Sequence, residues 1–334
     1  KLALVGGPVR DAILGRLGND LDFTTDALPL ESKKILKIWG ENIWDTGIEF
    51  GTVAAKRGDT TVEVTTYRSD KYDPESRKPE VEFGDNIAGD LSRRDFTVNC
   101  MALELTTATP EFIDPFNGLA DLAKQILRTP VTPEQSFSDD PLRMMRAARF
   151  ASQLNFEIEK STLSAMQDMA SRISIVSAER IRDEFTKLLM SNNPRRGISI
   201  MVDTGLAALV IPEIPKLKLE IDEHHHHKDV YEHSITVLEQ AIAQEERLGG
   251  PNLIIRLAAL LHDIGKSQSQ LGVLPRVVAT IVGPRTRRFS QYHRHEEIGI
   301  GLLEGAGCSD ATISLLKGVG DAQVIAALVA ADNM

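Results

Sequence analysis

The sequence contains few cysteines and no long apolar run. Its 334 residues include two cysteines, Cys100 and Cys308, too few for a disulfide framework, so a reducing, cytoplasmic location is expected. No stretch reaches the roughly 18 apolar residues that a membrane-spanning helix needs. The opening residues, KLALVGG, lack the form of a signal peptide. We therefore expect no membrane partner.

The chain also lacks a net positive charge, because 48 acidic residues outnumber 38 basic ones and the formal net charge is −10 at pH 7. That balance argues against a protein that coats nucleic acid through bulk charge. A local basic groove is still compatible with it, since binding depends on contacts with individual phosphates. The segments NPRRG (Arg195, Arg196) and GPRTRRF (Arg285, Arg287, Arg288) are either such basic patches or solvated loops.

The length and the patterns along the chain predict several domains. A chain of this length suggests two or three. Strand and helix patterns alternate at first, whereas amphipathic helices follow from about residue 126. We predict an α+β head over 1–125, an all-α neck over 126–205 and an all-α body over 206–334. The polar, proline-bearing segment 68–86 is predicted to be a loop.

The first chemical pattern is LVGGPVRDAILGRLGNDLDF. Gly6 and Gly7 stand between a strand and a helix, where glycine lets backbone N–H groups approach a phosphate. Asp20 and Asp22 are two apart in a strand and share one face, which alone is also compatible with a solvated strand end. Glu63, in the alternating strand VEVTT, offers a third carboxylate. Three acids beside a phosphate-binding turn indicate two-metal phosphoryl transfer with Mg²⁺.

Five segments in order resemble the motifs of the class II tRNA nucleotidyltransferases (CCA-adding enzymes) of the polymerase-β-like superfamily. They are LVGGPVRDAILGRLGNDLDF, RRDFTVNCMAL, DPFNGLADL, DDPLRMMRAARFASQLNF and SAERIRDEFTKLL. The resemblance implies a head with the mixed β-sheet nucleotidyltransferase fold. It also implies template-independent addition of CCA to the 3′ end of tRNA from CTP and ATP, with release of pyrophosphate.

The resemblance further implies a set of nucleotide-binding residues. Arg93 or Arg94 would neutralise the triphosphate, and Asp95 would accept a hydrogen bond from the ribose 2′-OH. Asn99 would support the turn, and we place Arg10 of the first motif in the same set. A salt-bridged surface turn is the alternative interpretation of RRD.

The fourth motif would select the base, because in the family an acidic pair followed by x-x-Arg acts as an amino-acid template. Asp140 and Arg143 are three apart, so we expect them to share a helix face. Asp140 can accept the amino hydrogen of cytosine or adenine, and Arg143 can donate to the ring acceptors. Uracil and guanine present a carbonyl to the carboxylate, a mismatch that costs ~1–3 kcal/mol. The alternative interpretation is that Asp140 is an acid that favours the helix dipole and that Arg143 belongs to a surface ion pair. Asp139 stands where the family usually has Glu. Arg146 and Arg149 continue the basic face of the helix.

Two segments bear on which relative the chain resembles most. DTGIEFGTVAA, at 45–55, is similar to the tRNA enzymes rather than to the basic segment of bacterial poly(A) polymerases. The stretch 68–92 is long enough for the complete flexible loop that CC-adding enzymes lack. Both favour CCA addition, with poly(A) polymerase and CC-adding enzyme as alternatives.

The last helical section is rich in histidine. The apolar helix LAALLHDIGK contains His262 and Asp263, a charged pair for which metal ligation is a good reason. Together with the preceding VYEH, this segment resembles the HD domain, a metal-dependent phosphohydrolase fold. The resemblance implies His233, His262, Asp263 and Asp332 as ligands, with His295 as a helper. Such a domain would hydrolyse phosphomonoesters or cyclic phosphates, or it would only support tRNA.

Two further segments of this section carry expectations. We interpret the four histidines at 224–227 as a solvated loop of the native chain. The stretch Ser267–Gly283 is longer than expected between HDIGK and HRHEE, which suggests an insertion near the HD site.

Overall fold

The computed structural model describes residues 1–73, 76–84, 86–218, 230–265 and 294–333, with the backbone alone over 69–82 and at 333. The chain forms two compact units, 1–178 and 179–334. The three-part division at 125 and 205 stays a prediction.

The first unit is built on a seven-stranded mixed sheet with the order β3-β4-β5-β2-β1-β8-β9. Its strands, with the separate pair β6 and β7, are β1 (Leu2–Val5), β2 (Asp20–Thr25), β3 (Asn42–Trp44), β4 (Thr52–Arg57), β5 (Thr60–Thr66), β6 (Arg68–Asp73), β7 (Ser76–Phe83), β8 (Ala102–Glu104) and β9 (Glu111–Ile113). Only β2 and β5 pair in parallel within this sheet.

Seven helices and a short parallel strand pair complete the first unit. They are α1 (Gly7–Ile13), α2 (Pro29–Trp39), α3 (Ile87–Ser92), α4 (Gly118–Lys124), β10 (Ile126–Leu127), α5 (Pro133–Asp139), α6 (Leu142–Leu154), β11 (Glu157–Ile158) and α7 (Lys160–Met169). The predicted mixed-sheet head followed by helices is confirmed.

Strand alternation places the predicted acids on one face of the sheet. On the other face, Leu36 of α2 packs against Val62 and Val64 of β5. Because side chains alternate along a strand, Glu63 lies on the face opposite that core. Asp22 is its direct partner in β2 and lies on the same face.

The loop prediction for 68–86 is wrong. β6 and β7 form an antiparallel hairpin of their own, with Arg68 opposite Phe83 and an irregularity near Lys71. Backbone hydrogen bonds hold such a pair whatever the polarity of its residues. The search for apolar alternation therefore misses it.

All regular secondary structure in the described part of the second unit is helical. Its helices, the first of which begins at the unit boundary, are α8 (Ala178–Leu189), α9 (Pro194–Asp203), α10 (Leu206–Val210), α11 (Glu213–Lys216), α12 (Val230–Gln244), α13 (Leu253–Leu261), α14 (His295–Gly305), α15 (Asp310–Leu316) and α16 (Ala322–Asn333). α12 packs against α13 and α16. None of the described helices is both long and apolar enough to cross a bilayer.

Candidate functional sites

The structure brings the three predicted carboxylates together. In the parallel pairing of β2 with β5, Asp22 lies opposite Glu63, and Asp20 is two residues away on the same face. The pKa of Asp22 is raised overall, mainly because the carboxyl group is buried. The charge of Arg94 lowers this pKa, and the charge of Asp20 raises it further. Burial and the charges of Asp22 and Asp20 raise the pKa of Glu63. A cation would relieve this repulsion, and oxygen donors suit Mg²⁺.

The glycine turn after β1 lies against an arginine. Gly6 has φ 71° and ψ −135°, a conformation that favours glycine. A Cβ there would fall 2.9 Å from Nη1 of Arg94. A Cβ on Gly7 would lie 3.6 Å from Nη2 of Arg10. Two guanidinium groups therefore flank the turn predicted to bind phosphate.

A fully buried carboxylate, Asp90, holds both arginines of the second motif. Its Oδ1 accepts from Nε (3.0 Å) and Nη2 (2.6 Å) of Arg93. Its Oδ2 accepts from Nη2 of Arg94 (3.3 Å) and from Oγ1 of Thr24 in β2 (3.2 Å). Burial raises the pKa of Asp90, but Arg93 and Arg94 outweigh burial and lower it. Asp90 was not predicted from the sequence, although its i, i+3 and i, i+4 spacing to the arginines was a signal.

The remaining second-motif residues form a buried polar chain. Oδ1 of Asp95 accepts from Nδ2 of Asn99 (2.9 Å), and its Oδ2 accepts from Nε of Arg146 (2.8 Å). Oδ1 of Asn99 accepts from Nη1 of Arg10 (2.5 Å). Burial raises the pKa of Asp95, but Arg146 and Asn99 bring it well below its usual range. Asn99 thus joins two predicted binding residues, while the ribose contact of Asp95 stays a prediction.

One aromatic ring, not singled out in the sequence, gathers three of the arginines. The guanidinium carbon of Arg149 lies 4.0 Å from the ring centroid of Phe150, and those of Arg10 and Arg146 lie at 5.3 Å and 5.5 Å. Cation–π contacts of this kind stabilise clustered positive charge. Arg149 also donates to Oε1 of Gln153 (2.6 Å).

The expectation that Asp140 and Arg143 share a helix face is wrong. α6 begins at Leu142, and Asp140 has extended backbone angles (φ −143°, ψ 101°). Pro141 is the reason, because the residue before a proline is disfavoured in the helical conformation. Oδ1 of Asp140 accepts from the Leu142 N–H (3.2 Å). The backbone N–H of Arg143 donates to the Asp140 carbonyl oxygen (3.0 Å), and Nη1 of Arg143 donates to Oγ of Ser136 (2.9 Å).

Asp139, which replaces the usual Glu, has a different environment from its neighbour. It is the last residue of α5, and its Oδ1 accepts from Nε2 of Gln135 (2.6 Å). The two adjacent acids therefore do not form one equivalent pair.

The third motif supports the second one. Asp114 accepts from the N–H groups of Gly118 (2.6 Å) and Leu119 (2.9 Å) at the start of α4. A Cβ on Gly118 would lie 2.2 Å from the Thr97 carbonyl oxygen. Oδ2 of Asp121 accepts from Oγ1 of Thr97 (2.7 Å). Backbone contact and hydrogen bonding fix α4 against the second motif.

The predicted ligands of the HD site converge in the second unit. Nε2 of His233 lies 3.0 Å from Oδ1 of Asp332 and 3.9 Å from Oδ2 of Asp263. Nε2 of His262 lies 3.3 Å and 3.5 Å from the same two oxygens. Nε2 of His295 approaches the other oxygen of Asp263, Oδ1, at 3.3 Å.

The tautomer of His262 fits a metal ligand. Nδ1 lies 2.8 Å from the Ala259 carbonyl oxygen, which can only accept, so Nδ1 carries the proton. Nε2 is buried and lies 3.3 Å from Oδ1 of Asp332, but among the described residues it has no partner in good hydrogen-bond geometry. A second-sphere carbonyl that fixes the ring in this way is typical of metal-bound histidine. Burial lowers the pKa of His262, but Asp332 and Asp263 outweigh the effect of burial, so that the pKa is raised overall.

A cavity of about 430 Å³ adjoins this cluster. His262, Asp263, His295 and Asp332 contribute to its wall, and the remainder is mainly apolar. It is large enough for a small phosphate ester beside the proposed metal ligands.

Several predicted features lie outside the described residues or bear other contacts. Those outside are the histidine run 224–227, the predicted insertion 267–283, and Arg285, Arg287, Arg288 and His293. In the candidate patch NPRRG, Arg195 donates to Glu239 (2.7 Å) and Glu232 (2.8 Å). The positive charge of Arg195 is therefore compensated by acidic residues of the second unit.

Three family models match successive parts of the chain. Residues 2–128 match the Poly A polymerase head domain. Residues 155–217 match the probable RNA- and SrmB-binding site of polymerase A, and 230–327 match the HD domain. The matches follow the order of the elements described above.

The curated relatives share one description. The CCA-adding enzyme of Lactobacillus johnsonii is 42% identical over 204 residues, covering 61% of this chain and 50% of the relative. The CCA-adding enzyme of Lactiplantibacillus plantarum is 44% identical over 203 residues, covering 60% and 48%. The chain thus spans about half the length of these relatives.

Solved structures resemble the chain over nearly its whole length. The Bacillus stearothermophilus CCA-adding enzyme in complex with CTP has a TM-score of 0.56 at 25% identity, covering 100% of this chain and 88% of that one. A tRNA nucleotidyltransferase complexed with a primer tRNA and an incoming ATP analog shares the fold, with a TM-score of 0.66 at 23% identity and coverage of 99% and 90%.

Proposed function

We propose that the chain is a nucleotidyltransferase that adds CCA to the 3′ end of tRNA from CTP and ATP, and the match of residues 2–128 to the Poly A polymerase head domain supports this. The observation that carries this proposal is the cluster of Asp20, Asp22 and Glu63 on one face of the sheet, with Arg94 beside it. The description of the curated relatives as CCA-adding enzymes supports it.

The reaction would join the RNA to the nucleotide at the α-phosphate. The RNA 3′-oxygen forms a bond to the α-phosphorus, and its proton passes to solvent water. The bond from that phosphorus to the bridging oxygen of the β-phosphate breaks, and pyrophosphate leaves with the electron pair. Mg²⁺ held by Asp20 and Asp22, with Glu63 assisting, would supply Lewis acidity for the attacking and leaving oxygens.

The residues around this cluster would bind and orient the triphosphate. Arg94 lies over the glycine turn, and Asp90 holds Arg93 and Arg94 in fixed orientations. Fixed guanidinium groups neutralise phosphate charge without reorganisation during the reaction. Arg10, Asp95 and the other nucleotide-binding residues of the sequence analysis are proposed to surround the sugar and base.

Base selection is proposed to remain with Asp140 and Arg143. A carboxylate that accepts and a guanidinium that only donates match cytosine and adenine, and they mismatch uracil and guanine. The route by which the protein holds the two side chains differs from the one predicted, but their hydrogen-bonding chemistry is unchanged.

A tRNA that lacks CCA tests the proposal. The purified chain is given each NTP separately and then CTP with ATP, both with Mg²⁺ and with a chelator. We expect incorporation of C, C and then A, and none by the Asp22→Ala variant. Tailing of arbitrary RNA with A would replace the proposal with a poly(A) polymerase. Addition that stops after two C residues would replace it with a CC-adding enzyme.

The cluster of His233, His262 and Asp263 favours a second candidate function. We propose that the HD domain binds a divalent metal, with Asp332 as a further ligand, and hydrolyses phosphomonoesters or cyclic phosphates. Mn²⁺ or Ni²⁺ with phosphomonoester and 2′,3′-cyclic phosphate substrates tests this. Hydrolysis lost in His262→Ala but kept in Asp22→Ala would support it. A wild-type chain that hydrolyses neither substrate would leave the domain as a support for tRNA.

Location and domain boundaries belong to the same proposal. We infer that the chain works in the cytoplasm, where a pair of cysteines needs no disulfide. The head over 1–125, the neck over 126–205 and the body over 206–334 are its proposed functional divisions.

A further inference from the structure

We propose that Ser136 is a positioning residue that sets base selection by holding both Asp140 and Arg143. The inference rests on the proposed function, because it assumes that those two side chains contact the incoming base. Ser136 is in none of the groups of residues that the sequence motifs pointed to.

Ser136 is hydrogen-bonded to both members of the pair. It lies in α5 and is fully buried, at 0% exposure. Its Oγ accepts from Nη1 of Arg143 at 2.9 Å, and its carbonyl oxygen accepts from the same nitrogen at 3.3 Å. The same carbonyl oxygen accepts from the N–H of Asp140 at 3.2 Å. One residue therefore links the acceptor and the donor that would face the base.

A second contact fixes the plane of the guanidinium. Nη2 of Arg143 donates to the carbonyl oxygen of Arg93. Contacts at both terminal nitrogens leave little freedom for rotation, because the guanidinium is planar and its N–H groups have fixed directions. Arg143 itself is buried, at 6% exposure.

Such a fixed donor would make the site selective. A hydrogen bond weakens steeply as its angle departs from linearity. A guanidinium that is held in one orientation therefore bonds well only to an acceptor that lies in line with its N–H groups. Without the Ser136 hydroxyl, Nη1 keeps only the longer contact to the carbonyl oxygen. The guanidinium could then turn toward the carbonyl groups of uracil or guanine. Selection would fall more than the rate of addition.

The experiment compares base selection in matched serine variants. The values of kcat/KM are measured for CTP and UTP on tRNA lacking CCA, and for ATP and GTP on tRNA ending in CC. We expect Ser136→Ala to reduce the CTP/UTP and ATP/GTP ratios roughly tenfold, since the loss of one hydrogen bond to a charged group is sufficient. Ser136→Thr, which keeps the hydroxyl, should restore most of each ratio.

Ser152→Ala is the matched control. Ser152 is also buried, at 2% exposure, and lies in α6 with Arg143. Its hydroxyl donates to the Ala148 carbonyl oxygen at 3.2 Å. This variant removes the same group from the same region, so its ratios should equal those of the wild type. Thermal unfolding checks that each variant is folded, and Ser136→Cys replaces Ser136→Ala if the alanine variant is not.

The outcomes separate this inference from the proposed function. Wild-type protein that adds neither C nor A would overturn both. Wild-type protein that adds CCA, with unchanged ratios in Ser136→Ala, would overturn the positioning role alone. Equal losses in Ser136→Ala and Ser152→Ala would also overturn it, because general loosening of the helix pair would then be the cause.

Discussion

Single carboxylates of the first unit lie in two opposite electrostatic environments. Asp90 and Asp95 are buried against arginines, which lower their pKa values. Asp22 and Glu63 are clustered with another acid, and burial and repulsion raise theirs. The first pair is compensated by the protein, whereas the second is suited to compensation by a bound cation.

Asp22→Asn is expected to stabilise the metal-free protein. A carboxyl group whose pKa is higher in the folded state opposes folding when ionised, and this cost grows as the pH rises above its unfolded value. The variant should therefore unfold at a higher temperature than the wild type at pH 7 in chelator. The difference should vanish near pH 3, where both forms are uncharged.

Magnesium should reverse that order. Mg²⁺ should raise the unfolding temperature of the wild-type protein, because the ion binds only the folded state. The unfolding temperature of Asp22→Asn should rise little. Asp59→Asn, in the exposed turn between β4 and β5, is the control and should behave as the wild type. Equal gains in all three proteins would show that Asp22 does not hold the ion.

Asp140→Ala is expected to relax base selection. Removal of the acceptor takes away the mismatch that a uracil or guanine carbonyl would meet. UTP and GTP should then compete with CTP and ATP in incorporation assays on tRNA lacking CCA. Loss of all addition with selection unchanged would assign Asp140 a structural role.

The sequence predicted which residue types cluster but not how they are held. Alternation along two strands was enough to place Asp22 and Glu63 on one face. The links through Asp90 and Ser136 are local in sequence, but only the spacing of Asp90 to Arg93 and Arg94 was visible as a signal. Arg146, which was predicted to continue the basic face of the fourth motif, pairs with Asp95, because a buried carboxylate needs a cation.

Short connecting elements decide how the motifs fit together. α4 is held close to the second motif because Gly118 has no side chain, and Asp114 caps its first turn. α5 and α6 are separate helices because Pro141 interrupts them. Elements of this kind carry little chemistry, but they set the distances within the candidate site.

Gly118→Ala is expected to destabilise the first unit. Its Cβ would lie 2.2 Å from the Thr97 carbonyl oxygen, so α4 must move away from the second motif. Overpacking of this kind costs about 1–3 kcal/mol or more. Chemical denaturation measures the change in unfolding free energy.

Gly89→Ala is the control for that substitution. Gly89 lies in α3, and a Cβ there would meet no atom within 4 Å. Alanine is the better helix former, so this variant should be neutral or slightly more stable. Equal destabilisation by both substitutions would contradict the close approach at Gly118.

Strands and helices could be predicted from the sequence where burial of one face makes apolar residues recur at a regular spacing. The strand β5 and the amphipathic helices after about residue 126 were recognised by their apolar spacing. The hairpin β6–β7 was missed because its sequence is polar. The shared helix face of Asp140 and Arg143 was predicted wrongly because i, i+3 spacing was extended across Pro141, whose effect on the preceding residue is local and predictable.

The whole molecule carries two candidate centres in different compact units. The carboxylate cluster belongs to residues 1–178, and the histidine cluster belongs to 179–334. The family resemblance and the α+β head followed by helices were predicted from motif order and are confirmed. The order of motifs along the chain does not depend on how individual side chains pack. The fold could therefore be predicted from motif order, whereas single contacts could not.

The two centres are expected to act independently. Asp22→Ala should lose nucleotide addition and keep metal binding by the second unit. His262→Ala should lose that metal binding and keep nucleotide addition. Incorporation assays and Mn²⁺ titrations measure the two effects on the same preparations. Loss of both activities in either variant would contradict the separation.

Metal binding by the second unit should weaken in acid. The pKa of His262 is raised, so protonation competes with the metal as the pH falls through that value. Mn²⁺ titrations at pH 8 and pH 5.5 should show weaker binding at the lower pH. Equal affinity at both would exclude His262 as a ligand.

The parallel pairing of β2 with β5 also has a consequence for folding during synthesis. The third acid, Glu63, reaches Asp22 only after α2, β3 and β4 have been made and β5 has crossed back to β2. Pairings between distant segments form late, because a long loop must close first. A ribosome-bound chain that ends within β4 holds two acids but lacks the third. Its affinity for divalent ions would therefore report how far assembly of the sheet has progressed.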